Sequence, residues 1–414
     1  MSKPAVGVVD FDRALKIVLT HATDLAIPAA ELLPLLECDD RVLAEPVFAD
    51  RDQPPFDRST RDGFAVRAAD FGTSSLRIAG QVRAGEQWQG GALQPGDAIQ
   101  IMTGAPIPDG ADAVVMVEHV EQVDGAIRPA DGRTIRSGGN IVPRGSEARR
   151  GERVLPAGVL VKGAEIALAA ACGRSTLNVL RKPTVAIVAT GDELVEVDAT
   201  PDLQQIRNSN SYGLASLVTR AGGEAVRLPI APDLRPELEE IIRTARRSDL
   251  MLLSGGVSMG EYDLVEEVLQ SLGAEFFFTG ARMQPGKPVV FGRLPAANGL
   301  PAQFFFGLPG NPVSTQVTFH CFVEPLLHAM AGAAVQGPHF AQATLAEDAT
   351  GKPNLMQVLP ARLTPDRARP TVKLVPWQGS GDLAANSRAN CYAVLPPEIE
   401  HFKAGDIITI LLRE

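Results

Sequence analysis

Three short segments of the sequence combine glycine with acidic, hydroxyl or amide side chains, the residue types that bind phosphate and metal ions. They are Gly191-Asp192-Glu193, Ser254-Gly255-Gly256-Val257-Ser258 and Gly307-Leu308-Pro309-Gly310-Asn311-Pro312. Glycine lets backbone N–H groups approach an anion closely, and carboxylates beside that anion fit a site that also holds a hard cation such as Mg²⁺. Each segment alone also fits an ordinary turn, so its chemistry depends on what lies beside it.

The apolar runs before these segments are expected to bring them together. Thr184–Ala189, Leu250–Leu253 and Gln303–Phe306 each read as a buried strand. Helices are predicted between such runs, over 211–221 with Ser209 or Asn210 as the cap, 236–246 and 262–272. This alternation is typical of a mainly parallel α/β sheet, which binds ligands at the carboxyl ends of its strands. We therefore predict that the three segments border one crevice.

Several groups near this crevice could form a combined anion and metal site. The backbone N–H groups of 254–256 could face a phosphate, and Asn311 with Pro312 would begin a helix whose N-terminus is left for a phosphate. Lys287, on a loop bounded by prolines, could contact phosphate as a point charge, although a solvated lysine is equally simple. The carboxylates from which a magnesium site could be built are Asp192, Glu193 and Asp263.

Two polar loops occur in a stretch of the sequence that reads as all β. Phe56–Phe64 carries charged and hydroxyl side chains, and Ile101–Pro106 is the second loop. Turn signals such as Gln94-Pro95-Gly96-Asp97 separate the short apolar runs here, which indicates a small barrel or sandwich. Composition alone indicates that both loops are turns.

Changes of pattern along the chain predict a multidomain protein of α/β and β regions. The predicted parts are an elongated linking domain from 1–50 and 141–180, an inserted β domain at 51–140, an α/β domain at 181–330 and a C-terminal β-barrel at 331–414. Apolar residues from Phe11 to Leu19 repeat with helical spacing, and a second helix is predicted over about 28–38.

The composition excludes several classes of function. The chain has 414 residues and a net charge of −10, which argues against a nucleic-acid surface. No apolar stretch approaches the roughly 20 residues of a membrane span, and the N-terminus lacks the apolar core of a signal peptide. The four cysteines are far apart, which disfavours zinc ribbons and redox motifs. We expect a cytoplasmic protein with no nucleic-acid or membrane partner.

Taken together, these segments resemble the molybdopterin molybdenumtransferase family, called MoeA in bacteria and the E-domain of gephyrin in animals. The resemblance covers nearly the whole chain, in order, and includes Phe56–Ala65, Ile101–Val115, Thr190–Leu194, Asn208–Tyr212, Ser254–Asp263, Pro285–Pro288, Gly307–Ser314 and Gly379–Asn390. It implies the family's fold: an elongated linking domain, an inserted β domain, a MogA-like molybdopterin-binding α/β domain and a C-terminal β-barrel.

The resemblance also implies an activity in molybdenum cofactor biosynthesis. The enzyme would insert molybdate into adenylyl-molybdopterin and release AMP, with Mg²⁺ as cofactor, as a homodimer that meets a molybdopterin adenylyltransferase and recipient molybdoenzymes. The residues at catalytic positions would be Asp62, Thr103, Glu193 and Asp263, and those at metal positions Asp192, Glu193 and Asp263. The residues expected to bind substrate are Arg58, Ser59, Ser254, Gly255, Gly256, Ser258, Lys287, Pro309, Gly310, Asn311, Ser314 and Ser380.

Some positions depart from the family's usual motifs. The first motif usually reads D-N-S-A-M-D-G, whereas Arg58 and Arg61 stand here in place of N and M. Val142 lies where an arginine pair is often found, and Gln284 replaces a common lysine. These departures concern individual anion contacts, and the ordered set of motifs still indicates the family.

Two other functions stay open at the level of sequence. The α/β region alone also resembles molybdopterin adenylyltransferases, which consume ATP. The loops that contain Asp62 and Thr103 favour the molybdenumtransferase, because an adenylyltransferase needs no such domains. The third candidate is a gephyrin-like scaffold, which neither a separate interaction module nor a disordered linker in the sequence supports.

Overall fold

A computed structural model describes residues 7–255 and 264–413 of the chain. Their contacts divide them into two compact units. The first comprises the described residues of 1–32, 40–44 and 178–414, and the second comprises 33–39 and 45–177. Among the described residues, the helices all lack the length and apolar character that crossing a bilayer requires.

The chain begins with strand β1 (Val8–Asp10) and helix α1 (Phe11–Thr23). The predicted first helix is confirmed, and its buried side chains recur every three or four residues: Phe11, Ala14, Val18 and Ala22. They pack into the largest apolar core of the first unit. The helix therefore forms because one face of it is buried, as the spacing indicated.

The second helix predicted over 28–38 is wrong. Strand β2 (Ala30–Pro34) and a single 3₁₀ turn (Leu35–Cys38) occupy this stretch. Pro34 has no N–H for a helical hydrogen bond and disfavours helical backbone in the residue before it. Leu32 and Leu36 are also largely exposed, so the apolar spacing does not correspond to a buried face.

The second unit is built around a six-stranded sheet with the order β8-β5-β7-β6-β10-β9. Apolar clusters cover both of its faces, and a Cβ on Gly63 in β5 would collide with the Val115 carbonyl oxygen of β8. The elements of residues 45–180 are β3 (Val47–Phe48), β4 (Arg58–Ser59), β5 (Gly63–Val66), β6 (Leu76–Val82), β7 (Asp97–Ile101), β8 (Ala113–Met116), β9 (Val120–Val123), β10 (Ala126–Pro129), β11 (Ile141–Val142), β12 (Arg153–Leu155), α2 (Gly163–Ala171) and β13 (Thr176–Leu180).

The first unit contains the predicted α/β sheet, with the order β17-β14-β18-β22-β21-β19. Its first four strands are parallel, and only β21 runs in the opposite direction, antiparallel to both β22 and β19, which confirms the mainly parallel fold. Its elements are β14 (Thr184–Ala189), β15 (Leu194–Val195), β16 (Ile206–Arg207), α3 (Ser209–Arg220), β17 (Glu224–Arg227), α4 (Arg235–Ala245), β18 (Leu250–Ser254), α5 (Leu264–Ser271), β19 (Glu275–Phe278), β20 (Gly280–Gln284), β21 (Val290–Leu294), β22 (Gln303–Leu308), α6 (Pro312–Thr318) and α7 (Glu324–Met330).

Helix α3 has a different cap from the two that were predicted. Its N-cap is Asn208, whose side-chain oxygen accepts a hydrogen bond from the Ser211 amide at 3.2 Å. Ser209 and Asn210 already belong to the helix. The prediction failed because the sequence offers three polar residues in a row, and each of them is a good cap by type.

The C-terminal strands close into a five-stranded barrel, which confirms the predicted architecture. The hydrogen-bonded circuit runs β25-β26-β23-β29-β27 and returns to β25. Strands β20 and β1 extend this sheet from β25, and their pairing is parallel. The elements are β23 (Phe340–Leu345), β24 (Ala349–Thr350), β25 (Met356–Thr364), β26 (Thr371–Leu374), α8 (Leu383–Arg388), β27 (Cys391–Leu395), β28 (His401–Phe402) and β29 (Ile407–Leu412).

One carboxylate joins the starts of the neighbouring strands β14 and β18. Asp249, just before β18, receives two hydrogen bonds of 2.7 Å from the Arg181 guanidinium. It also accepts from the Thr184 amide at 2.7 Å and from the Thr184 hydroxyl at 3.0 Å. Burial raises the pKa of Asp249, but these hydrogen bonds outweigh it and hold the pKa below its ordinary value. The contact fixes the register in which Val185 lies beside Leu250.

We predict that Asp249→Asn lowers the free energy of unfolding by about 2–4 kcal/mol at neutral pH, because charge-assisted hydrogen bonds are lost. The folded-state pKa is depressed, so the carboxylate stabilises the fold above its unfolded pKa of about 3.9. That stabilisation disappears as the pH falls through the folded pKa. Urea denaturation at a series of pH values measures this, with Thr184→Ser as a control that keeps the hydroxyl. A penalty for Asp249→Asn that stays constant down to about pH 2 would contradict the assignment.

Candidate functional site

The three glycine-containing segments border one cleft, as the sequence predicted. The cleft has a volume of about 380 Å³ and lies at the carboxyl ends of β14, β18 and β22. The register pairs Ala189 with Ser254 and Ser254 with Leu308, so the three strands end level with one another. The lining residues from the predicted segments and the loop before them are Thr190, Glu193, Ser254, Gly255, Pro309, Gly310, Asn311 and Pro312.

Asn210 connects the elements that surround this cleft. Its side-chain Nδ2 donates to the Ser254 hydroxyl at 2.9 Å and to the Gly310 carbonyl at 2.7 Å. One amide group in the first turn of α3 thus holds the end of β18 and the loop after β22. Sequence reasoning gave Asn210 no role in the site, although it lies within one of the segments that carry the family resemblance.

The backbone at Gly255 has a conformation that favours glycine. Its φ is +92°, and a Cβ there would lie 2.5 Å from the Thr190 carbonyl oxygen. Both observations require glycine, since other residues rarely adopt this φ and have no room here. Thr190 in turn donates its N–H to the Ser254 carbonyl at 3.0 Å. Gly256, Ser258 and Asp263 lie outside the described residues.

The two acidic residues after β14 differ in their surroundings. Glu193 lines the cleft, whereas Asp192 accepts a hydrogen bond from the Asp233 amide at 3.0 Å and is not part of the lining. In the parts of the chain that the structure describes, no three acidic, histidine or cysteine side chains lie close enough to hold a metal. Magnesium is often held by one or two carboxylates plus substrate phosphates, so Glu193 alone fits as a ligand.

The start of α6 offers fewer free N–H groups than expected. Asn311 is the N-cap, but its side chain makes no capping hydrogen bond. Pro312 has no N–H, and the Val313 amide donates to the Ser380 carbonyl at 2.9 Å. Ser314, the next residue of this helix, is buried and does not line the cleft. The prediction of a fully open helix N-terminus is corrected, because the loop at Ser380 occupies part of it.

Two cations lie at or beside the cleft. Arg207 lines it, and its Nε donates to the Ala199 carbonyl at 3.2 Å. Lys287 is exposed next to Pro288, which also lines the cleft, and it forms no ion pair within the described ranges. The sequence analysis identified Lys287 but missed Arg207, because no glycine or proline signal marks the strand that carries it.

The polar loops of the second unit are joined by a hydrogen-bonded pair. Asp62 accepts from both the amide and the hydroxyl of Thr103, at 2.7 Å and 2.9 Å. These two hydrogen bonds, the backbone one first, lower the pKa of Asp62. Ser59 is buried, and its hydroxyl donates to the Arg61 carbonyl at 2.6 Å, so it supports the loop from within. Arg58 pairs with Glu147 at 2.7 Å, and both are substantially exposed.

The positions that depart from the family motifs have ordinary structural partners. Val142 in β11 pairs with Arg58 in β4, and Arg61 is exposed. Gln284, which precedes a cis peptide bond to Pro285, accepts from the Gln357 side chain at 3.1 Å. Gln284 is therefore tied to the barrel through β25.

Models of three protein families match successive parts of the chain. The MoeA N-terminal region (domain I and II) matches residues 9–173, and the probable molybdopterin binding domain matches 186–329. The MoeA C-terminal region (domain IV) matches 342–412. The second match includes the whole lining of the cleft described above.

Individual proteins are similar to the chain over most of its length. A molybdopterin molybdenumtransferase of Haemophilus influenzae is 35% identical, over 92% of this chain and 93% of that protein. One of Nostoc sp. is 38% identical, over 73% of this chain and 70% of that protein. A crystal structure of the molybdopterin biosynthesis moeA protein from Pyrococcus horikoshii OT3 matches with a TM-score of 0.76 and 28% identity, covering 98% of this chain and all of that one.

We predict that Gly255→Ala damages the cleft and that Gly310→Ala does not. Alanine at this position would place its methyl group against the Thr190 carbonyl. It would also have to adopt a positive φ, at a cost of about 1–3 kcal/mol. At Gly310 the nearest atom, the Gly255 Cα, would lie at an ordinary 3.7 Å. Thermal unfolding measures the loss of stability, and calorimetric titration with AMP measures the affinity of the cleft. Equal stability and AMP affinity for both variants would refute the strained-loop interpretation.

Proposed function

The chain belongs to the molybdopterin molybdenumtransferase family, a transferase family of molybdenum cofactor biosynthesis, and we propose that its cleft binds adenylyl-molybdopterin, which receives molybdate and releases AMP. The observation that supports this most is the convergence of three loops at the ends of β14, β18 and β22. Their main-chain and hydroxyl groups suit a phosphate-containing ligand. Substrate binding there would involve Ser254, Gly255, Pro309, Gly310, Asn311 and Ser314, with Gly256 and Ser258 beyond the described residues.

The pyrophosphate of this substrate would need positive charge, because the protein itself is acidic. Arg207 and Lys287 are suitable, as neither has a carboxylate partner among the described residues. A guanidinium can bind phosphate through two parallel hydrogen bonds, whereas an ammonium acts as a point charge. Ser380 would act through its carbonyl contact with Val313, which holds the first turn of α6 in place.

Magnesium would be held by Glu193, Asp263 and phosphate oxygens, with Asp192 as a further candidate. When bound, it would polarise the phosphate group that leaves with AMP. Asp192 is less suited than Glu193, because one of its carboxylate oxygens already accepts the Asp233 amide. No side chain needs to act as a nucleophile, so positioning and electrostatics would provide the rate.

Molybdate would approach the loops that carry Asp62 and Thr103. The Asp62 carboxylate accepts two hydrogen bonds from Thr103, which lower its pKa, and it can hold the two loops in one arrangement. Arg58 and Arg61 lie beside them in the sequence and could attract the oxyanion. Ser59 would contribute by supporting the backbone at Arg61. The assignment rests on the family resemblance together with this hydrogen-bonded pair.

We expect the full chain with adenylyl-molybdopterin and Mg²⁺ to release AMP when molybdate is added, and to consume no ATP. Glu193→Gln and Asp263→Asn should each slow AMP release by about 100-fold or more, because charge stabilisation by the metal is lost. Glu196→Gln is the matched control, since Glu196 contacts Arg227 and does not line the cleft.

Chromatographic assay of AMP and ATP decides between the candidate activities. Consumption of ATP with molybdopterin would indicate an adenylyltransferase instead. Full activity and unchanged Mg²⁺ dependence in both acidic variants would remove Glu193 and Asp263 from the metal site. A loss of activity in Glu196→Gln equal to that in Glu193→Gln would show that the effect is general electrostatics.

The proposed assembly is a homodimer in the cytoplasm, where an adenylyltransferase would supply the substrate and molybdoenzymes would receive the product. All four cysteines are buried and none of them forms a disulfide, which suits a reducing compartment. In a two-fold dimer the same surfaces meet reciprocally, so one subunit could complete the site of the other. We propose that Asp62 of one subunit acts with Asp263 of its partner.

Mixing inactive Asp62→Ala and Asp263→Ala subunits tests this shared site. Each mixed dimer would contain one doubly damaged site and one intact site. Random exchange makes half of the dimers mixed, so about a quarter of all sites should recover. Native mass spectrometry confirms exchange, and AMP release measures recovery. Zero activity after complete exchange would exclude a site shared between subunits.

A further inference from the structure

Asn210 lines the cleft and contacts two of the elements that form it. It lies in the first turn of helix α3, whose start is held by the Asn208 cap. Its side-chain nitrogen lies 2.9 Å from the Ser254 hydroxyl oxygen and 2.7 Å from the Gly310 carbonyl oxygen. One nitrogen makes both contacts, and this limits the directions in which the hydrogens of the site can point.

The Gly310 carbonyl decides which end of the Asn210 amide makes these contacts. A carbonyl oxygen only accepts hydrogen bonds, so the atom that lies 2.7 Å from it has to be a donor. The opposite orientation of the amide would bring two acceptor oxygens together, and they would repel each other. The amide nitrogen of Asn210 therefore faces Gly310, and the same nitrogen faces Ser254.

The orientation of the Ser254 hydroxyl follows from this assignment. An amide nitrogen donates and does not accept, so the Ser254 oxygen is the acceptor in their contact. The single hydrogen of the hydroxyl is left for another acceptor, and the described residues provide none. Ser254 lines the cleft but is only 2% exposed. A buried donor without an acceptor is costly, so an acceptor on a ligand would be stabilising here.

The other groups of the cleft favour an acceptor that carries negative charge. Arg207 is part of the same lining, and a guanidinium has donors only. Glu193 also lines the cleft, but its carboxylate makes no hydrogen bond with Ser254 in the described structure. A phosphate group meets both requirements, because its oxygens accept hydrogen bonds and attract a guanidinium.

We propose that Asn210 is a positioning residue for the ligand of this cleft, because it fixes the Ser254 hydroxyl as a hydrogen-bond donor to a phosphate oxygen. Asn210 acts through Ser254 and need not touch the phosphate. The inference rests on the proposed function, since it takes the phosphate that leaves with AMP as the acceptor. It also gives Asn210 a part in specificity: a ligand group that can only donate would meet the Ser254 hydrogen and be disfavoured.

A double-mutant cycle tests whether Asn210 acts through the Ser254 hydroxyl. AMP is titrated calorimetrically, with Mg²⁺ present, into the full chain and into Asn210→Ala, Ser254→Ala and the double variant. Each single substitution should weaken AMP binding by about tenfold, because a hydrogen bond to a charged group is lost. The double variant should lose less than about thirtyfold, whereas independent effects would multiply to about a hundredfold.

Two further variants separate positioning from a general structural role. Ser254→Thr keeps a hydroxyl, so Asn210→Ala should again cost about tenfold in that background. A purely structural contribution of Asn210 would cost the same in every background. Ser216→Ala is the matched control, because Ser216 is an exposed residue of the same helix and does not line the cleft; its AMP affinity should equal that of the wild type. Thermal unfolding verifies that each variant is folded.

The outcomes distinguish this proposal from the function on which it rests. If the wild-type chain binds AMP, but Asn210→Ala leaves the affinity unchanged or weakens it equally with and without the Ser254 hydroxyl, the positioning role is wrong and the nucleotide cleft stands. If the wild-type chain binds no AMP, the nucleotide cleft and the positioning role are both wrong.

Discussion

The level ends of three parallel strands are the constraint on which the site depends. Parallel strands place their carboxyl ends on one edge of a sheet, and here the register pairs Ala189 with Ser254 and Ser254 with Leu308. Asp249 fixes that register at the opposite edge, where it binds Arg181 and Thr184. A slip of one residue between β14 and β18 would separate Thr190 from Ser254, and the cleft would lose its shape.

An acidic protein that is to hold an anionic substrate has to create positive potential locally. Among the described residues that line the cleft, the positive charge comes from the side chain of Arg207. Arg207 comes to the lining because β16 pairs with β15, which follows Glu193 directly. One carboxylate and one guanidinium thus lie in the same cleft without an ion pair between them. This leaves each of them free for a ligand of opposite charge.

The sequence was sufficient to predict the features that follow from hydrophobic periodicity and from the topology of a parallel sheet. Alternating strands and helices predicted the parallel sheet, and because the carboxyl ends of parallel strands lie at one edge, the three loops were predicted to meet. Contacts that depend on where a side chain points were not predictable, such as the two hydrogen bonds of Asn210. The same holds for the Ser380 carbonyl, which reaches Val313 from a segment far along the chain. The helix predicted from apolar spacing over 28–38 was also wrong, because Pro34 restricts the backbone of the residue before it.

Three glycines show which constraints are visible only in the structure and not in the sequence. Gly255 is required by its positive φ and by the Thr190 carbonyl beside it, so its substitution is expected to be costly. Gly310 borders the same cleft but has room for a methyl group, and loop context alone cannot separate the two. Gly213 has neither constraint, and it weakens the helix that contains it. The backbone angle and the space around each glycine, rather than the loop or helix that contains it, therefore decide whether a side chain is tolerated there.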